Sequence, residues 1–331
     1  MRLILEPCVG LISPDHTGLT AQKPAGRRPR WAVLLAFALG CGLTAASAWF
    51  PRRFWSYWAF ETVADGDSAG HVVVEEGLEL KGIRQNISGL TFSAATGTLF
   101  AVVNDPRRVV EISPCGRVLR ILPVTFGDDL EAISHVADDL FVIASEKGNV
   151  IRGARLNAAT RRVKPLSSHT LAIAFNRSRN EGIEGLSWDH RGNRLFLANE
   201  KNPLQIVEVT GFDRLMLAQP TGLSFAIWNP SQSLADLAGD VSSISFNESW
   251  NAMSFLSDES RRVYRFDSQD NPSLLLRLQR GHHRLKADVA QPEGLAFGPD
   301  DSIYIIAEPN RFYRFAPARL AADRRQGCVS P

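Results

Sequence analysis

The stretch that decides the fold runs from residue 184 to residue 200: EGLSW at 184–188, a turn through Gly192 and Asn193, then LFLANE at 195–200. The opening phrase alternates side chains with a period of two, and the second is a bulky apolar run closed by an acid. Two strands joined by a tight turn read this way. The same pair of phrases is spelled four more times. Its openings are SGLTF from Ser88, EAISH from Glu131, SSISF from Ser242 and EGLAF from Glu293, and its closings are LFAVVND, LFVIASE, MSFLSDE and IYIIAE. Successive openings lie 43, 53, 58 and 51 residues apart. That is the period of a four-stranded propeller blade, a unit too small to bury its own apolar face without neighbours.

Working outward, a third strand is expected at 108–112, 150–156, 205–209, 262–266 and 311–315, and a fourth at 117–124, 170–175, 223–228 and 273–278. The fifth unit ends before its fourth strand. His71 to Leu80 (HVVVEEGLEL) is strand-like and precedes the first unit, so it is expected to supply the missing outer strand and close the ring. The fold class is therefore all-β, a β-propeller of four-stranded blades, with five blades favoured and room for a degenerate sixth between Glu184 and Ser242.

Charge divides the chain. Residues 1–55 hold seven Lys or Arg against two acids, so with a net charge of +2 for the whole, the remainder carries about −3. Residues 32–50 contain no charge and are long enough to cross a hydrocarbon core of roughly 30 Å as a helix. Arginines and aromatic residues flank this segment, as at the edges of membrane anchors. The organisation expected is a basic cytoplasmic tail (1–31), a transmembrane anchor (32–50), a linker (51–70), the propeller (71–318) and a C-terminal tail (319–331), with the propeller exported across the membrane. A signal peptide cleaved after Ala46-Ser47-Ala48 is the other reading of the leader, and it too exports the propeller.

Cys8 and Cys41 lie in the leader, and the four cysteines together offer neither a disulfide-rich scaffold nor paired zinc spacing. Ring closure would bring the tail near the first blade, so Cys115 and Cys328 are either a disulfide suited to an oxidising compartment or two free thiols. No nucleophile elbow, phosphate-cradling loop or HExxH helix is present. A slightly acidic body gives no support to a nucleic-acid partner. His282 and His283, with Arg280, Arg284 and Lys286, read as a solvated loop or an anion-binding edge.

In a propeller blade the first strand is innermost and the second returns antiparallel, so the start of one and the end of the other meet at one rim. That rule gathers Glu131, Glu184 and Glu293 from the openings with Asp105, Glu146, Glu200, Asp258 and Glu308 from the closings. Carboxylates aimed into one funnel repel unless protonated, paired or neutralised by a cation. Ca²⁺ suits such a site because it takes six to eight oxygen ligands in loose geometry, and Ser88, Ser242, Asn104 and Asn199 would add neutral oxygens. Alternatively, the closing acids pair with Arg107, Lys147, Lys201 and Arg261. Gly89, Gly185 and Gly294, with Ala132 and Ser243 in the other two units, are expected to be small because innermost strands crowd near the axis.

The phrases NEGIEGLSWD from Asn180, LFLANEKNP from Leu195, LSDESRRVYRFD from Leu256 and IAEPNRFYRF from Ile306 resemble the SdiA-regulated (YjiK-like) family of bacterial envelope β-propellers. The resemblance covers roughly residues 75–318 and implies a membrane-anchored propeller on the periplasmic side of a bacterial inner membrane. More distantly, the x-Gly-Leu opening is similar to that of calcium-dependent gluconolactonase-like propellers, in which the residue at x is a metal ligand. Position by position that similarity points to Glu131, Glu184 and Glu293. Two functions follow: a propeller that binds a small molecule or an envelope protein at an acidic, Ca²⁺-occupied face, or a Ca²⁺-dependent hydrolase of the lactonase or phosphoesterase kind.

Overall fold

The computed structural model describes residues 70–166, 170–174, 182–201, 203–228 and 231–321. The chain divides into two compact units, Met1–Phe54 and Trp55–Pro331, and every described residue belongs to the second. The expected anchor at 32–50, its flanking segments and Cys328 lie outside the described residues. Among the described residues no helix is long and apolar enough to cross a membrane.

Strand β1 (His71–Glu79) comes first. Blade one holds β2 (Ile87–Ser93), β3 (Thr98–Val103), β4 (Arg108–Ile112) and β5 (Val118–Pro123); blade two holds β6 (Leu130–Ala137), β7 (Leu140–Ser145), β8 (Val150–Arg155) and β9 (Leu171–Ala172). Blade three contains β10 (Ile183–Asp189), β11 (Arg194–Asn199), β12 (Gln205–Thr210) and β13 (Ser224–Ile227), with short helices α1 (Phe212–Met216) before β13 and α2 (Ser231–Leu237) after it. Blade four is β14 (Ser243–Asn247), β15 (Ala252–Ser257), β16 (Arg262–Phe266) and β17 (Pro272–Arg277), and blade five begins with β18 (Pro292–Phe297), β19 (Ile303–Ala307) and β20 (Arg311–Pro317). The five sheets have four strands each, and the fifth is ordered β1-β20-β19-β18. The amino-terminal strand therefore closes the ring as expected.

The long interval in unit three holds α1 and α2 in place of a sixth blade. Phe212 and Met216 of α1 pack into the layer between blades two and three, and Leu234 and Leu237 of α2 into the layer between blades three and four. Five apolar layers make up the core, one at each junction of neighbouring blades. Alternation explains how one strand serves two of them: Leu99, Ala101 and Val103 of β3 face blade five, while Phe100 and Val102 face blade two. Both faces are buried, so the second strands read as unbroken apolar runs.

Inner strands are also tied by side-chain hydroxyls. Thr91 Oγ1 accepts the His135 N–H at 3.1 Å, Ser134 Oγ that of Trp188 at 3.0 Å, and Ser187 Oγ that of Phe246 at 2.8 Å. Blade four uses Ser243, whose Oγ accepts the Leu295 N–H at 3.2 Å. A Cβ on Gly185 would meet Ile244 Cγ1 at 2.9 Å and one on Gly294 would meet Leu90 Cβ at 2.8 Å, which is the crowding expected of these positions.

Closure has clamps beyond the ladder, in which Val73 faces Phe315 and Glu79 faces Arg311. The Val73 N–H reaches the His283 carbonyl at 2.8 Å, and His283 Nδ1 lies 3.0 Å from the His71 carbonyl. His283 Nε2 in turn accepts the Arg277 N–H at 3.1 Å. His283 is thus neither a solvated side chain nor part of an anion edge; it fastens β1. Cys115 is disulfide-bonded, which excludes the free-thiol reading for this residue.

Candidate metal centre at the acidic mouth of the channel

Each inner strand starts at the same mouth, and four of them start with an irregularity; in blade one it skips Gly89, between Ser88 and Leu90, and in blades two, three and five it skips an acid. In those three, pairing slips by one residue between Leu130 and Ala132, between Ile183 and Gly185, and between Pro292 and Gly294. The residues skipped there are Glu131, Glu184 and Glu293. A bulge of this kind re-aims a side chain, so each glutamate leaves the alternation that sends its neighbours into the apolar layers. Serine stands at the equivalent place in blades one and four. Ser88 Oγ donates to the Glu131 carbonyl at 2.8 Å and Ser242 Oγ to the Pro292 carbonyl at 2.7 Å, so these hydroxyls act as staples to the next blade.

A second set of side chains comes from the residue just beyond each second strand: Asn104, Glu146, Glu200, Asp258 and Glu308. Four of these positions are fixed by one repeated bond, their N–H donating to the carbonyl of Asn86, Asp129, Gly182 and Gln291 at 3.0, 2.8, 3.1 and 2.9 Å respectively. In blade four the carboxylate of Asp240 substitutes, accepting the Asp258 N–H at 3.2 Å. Those partners lie two residues before each opening, and Asn86 and Asp129 hold left-handed backbone at φ 59° and 62°. They form a third set, of which Asp129 and Asp240 are acidic.

The outcome is a cavity of about 310 Å³ lined by Glu131, Glu184, Glu200, Asp240, Asp258, Glu293 and Glu308 together with Asn86, Ser88, Asn104 and Ser242. Glu146 sits beside it: Asp129, Glu131 and Glu146 can each bring one oxygen within 4.8 Å of the other two. Asn104 Nδ2 donates to Asp129 and, at 3.3 Å, to Glu131. One expected member is elsewhere. Strand β3 ends at Val103, which makes Asn104 the mouth residue and carries Asp105 one step too far, into an exposed turn. Asn199 also turns away, its Nδ2 donating to the carbonyls of Lys201 and Pro203 at 3.0 and 2.8 Å.

Basic partners do little to neutralise this set. Of the pairings expected for the closing acids, Lys201 reaches Glu200 at 2.7 Å, whereas Arg107 pairs with Asp128 and Arg261 with Asp288. Burial and mutual repulsion act in the same direction on what remains. Desolvation pushes Glu131 up to about 8, with Asp129 and Glu146 adding to it against a hydrogen bond from Ser88. Glu293 is raised to about 9 by burial and then by Asp258 and Glu308, and Glu146 to about 7 by burial and Asp129. Glu184 is held well above the carboxylate range by burial and then by Glu131, Glu146, Glu200 and Glu293. The three opening glutamates thus feel one another across the axis.

Chemically, this is a nest of hard oxygen donors with displaceable protons. Asp129, Glu131 and Glu146 are close enough to share a cation whose bonds to oxygen are about 2.3–2.6 Å, and they fit Ca²⁺ better than the softer metals that prefer nitrogen or sulfur. Asp129 and Asp240 escaped the sequence reading because the repeat was read from its opening residue. Extended two places upstream, its phrases begin with Asn86, Asp129, Gly182, Asp240 and Gln291, a polar column with two acids in it.

The chain belongs to the SdiA-regulated family, whose model matches residues 67–316. Among solved structures it is similar to one described as a luciferin-regenerating enzyme, with 13% identity over 75% of this chain and 95% of that one and a TM-score of 0.48. It is also similar to a streptogramin B lyase structure, with 12% identity over 76% of this chain and 99% of the other and a TM-score of 0.41.

Proposed function

We propose that this member of the SdiA-regulated family is a cell-envelope propeller that binds a divalent cation, Ca²⁺ before others, at its acidic mouth and holds a small molecule or a partner protein there. The observation that carries this reading is the set of three glutamates turned to the axis by bulges, backed by Glu146, Glu200, Asp258 and Glu308, with Lys201 the basic side chain that pairs with a carboxylate of this lining among the described residues. Leaving so many carboxyls buried and mutually repelling costs stability, and a cation converts that cost into binding energy. Anchoring by residues 32–50 and a periplasmic propeller complete the reading. The disulfide at Cys115 accords with an oxidising compartment.

The test is thermal unfolding of the full chain, stripped with chelator and then titrated with Ca²⁺, Mg²⁺ or Mn²⁺. At a hundredfold excess over Kd, a cation that binds only the folded state stabilises it by about 2.7 kcal/mol, roughly 5–10 °C for a domain of this size. A saturable rise with Ca²⁺ is expected, and no rise with any of the three overturns the proposal. The hydrolase reading has one observation in its favour: Asp129, Glu131 and Glu146 stand together, so a cation held by two of them would leave the third carboxylate within reach of a water beside it. Chelator-sensitive turnover of lactones or phosphoesters, lost in Glu146→Gln, would establish it; saturable binding without turnover leaves recognition.

A further inference from the structure

The inner strands end at a second cavity, built mainly from aromatic rings where the first is built from acids. Four residues after each opening stand Phe92, His135, Trp188, Phe246 and Phe297, one from every inner strand, and all five line a cavity of about 270 Å³. Trp188 and His135 are buried, whereas Phe92, Phe246 and Phe297 are half-buried and keep part of their surface accessible. Each of these three is fixed by an aromatic neighbour outside the lining. Phe92 stacks on Tyr304 with ring centres 6.4 Å apart, Phe246 stacks on Phe196 at 5.9 Å, and Phe297 meets Trp250 edge-on at 5.2 Å.

Charge sets the character of this cavity. Among the described residues that line it, Glu248 is the one carboxylate and none is lysine or arginine. Glu248 follows the last residue of β14, and its side chain is 26% exposed, within reach of a ligand. One of its oxygens accepts the His190 N–H at 2.5 Å, and the other lies 3.4 Å from Arg191 Nε, on a side chain 76% exposed. So exposed a pairing is weak and screened by water. The carboxylate therefore remains a source of negative potential for the cavity.

We infer that this cavity is a binding site for a small organic ammonium ion whose charge is spread over methyl groups. The ring quadrupole of an aromatic side chain attracts such a cation, most strongly where water is excluded. A fully methylated ammonium has no N–H to satisfy, so phenylalanine rings and one nearby carboxylate meet its needs without a ring of acceptors. A primary amine would instead give up hydrogen bonds to water that phenylalanines do not replace. The volume is near the lower limit of ligand sites and takes one trimethylammonium group with a short stem. The site is independent of the acidic mouth, since no residue lines both cavities.

Saturation-transfer NMR decides it, with the full chain in maltoside micelles and choline as the probe. The control is the uncharged isostere of choline, in which a quaternary carbon replaces the nitrogen. Choline should bind saturably and about tenfold more tightly than the isostere, the worth of a largely desolvated cation–aromatic contact. Glu248→Gln keeps an acceptor for the His190 N–H and should weaken choline about fivefold while leaving the isostere unchanged. Phe246→Leu, checked for folding by its melting transition, should weaken choline by about the same factor. The double variant Glu131→Gln, Glu293→Gln removes charge from the acidic mouth and should leave choline binding intact. No saturable binding, equal affinity for choline and its isostere, loss of binding in the double variant, or undiminished binding in either folded single variant each overturns the assignment.

Discussion

Glu184 and Gly185 are neighbours with opposite duties, and the bulge between them and β11 lets both be met. The glutamate swings to the axis while the glycine lets β14 approach, with Ile244 N 3.1 Å from where a Cβ would be. Gly185→Ala should therefore destabilise the fold by about 1–3 kcal/mol through overpacking against Ile244 and Ala198. Chemical denaturation checks this, and an unchanged midpoint would show that the inner strands have slack. Ala132 and Ser243 carry a Cβ at the matching positions, so not every blade requires glycine there. The opening acids were legible from the repeat alone because their spacing is regular. The displacement of Asp105 by Asn104 was not, since it depends on where β3 runs out of partners, and that is set by pairing across the sheet.

At the scale of elements, β1 is the closing piece, and its alternation was readable because its inward side chains serve an ordinary apolar layer. Val73 packs between blades four and five and faces Phe315. Val73→Asp should cost at least about 3 kcal/mol by burying an unpaired carboxyl and should free the strand for proteolysis, whereas Glu79→Ala, at the exposed end, should do neither. Equal protease sensitivity in the two variants would mean that closure does not depend on this strand. Helices α1 and α2 were not legible as helices: SQSLADL has too few residues for its periodicity to stand out, and its helicity comes from docking Leu234 and Leu237 on its neighbours. The Cys115 bridge belongs here too. Peptide mapping without reduction should return Cys115 joined to Cys328, a link across 212 intervening residues worth about 4–5 kcal/mol in the chain-entropy account. A bridge to Cys8 or Cys41 would instead tie the propeller to its leader.

For the whole molecule, the acidic mouth makes stability a function of pH, and the sign can be derived. Folding raises Glu146, Glu131 and Glu293 from 4.5 to about 7, 8 and 9, and Glu184 in the same direction. Between those limits the folded chain holds protons that the unfolded chain has lost, so stability falls as pH rises. The benefit is complete below the unfolded value and gone above the folded ones. His135 acts oppositely, because its folded value is lowered from 6.5 and its contribution is lost as pH falls below that point. The clean window is therefore about pH 6.5 to 9, where the carboxyls act alone. With chelator present the melting temperature should decline across that window, and Glu184→Gln should flatten the decline by removing one of the buried, repelled carboxyls. Adding Ca²⁺ should turn the slope the other way, since a cation competes with protons for the same oxygens and binds more tightly as they leave. A chelated chain whose melting temperature holds constant or rises from pH 6.5 to 9 would mean that the mouth is hydrated and open enough for its glutamates to ionise as they do in the unfolded chain. The glutamates could then still bind a cation, but the repulsion argued to drive that binding would be absent.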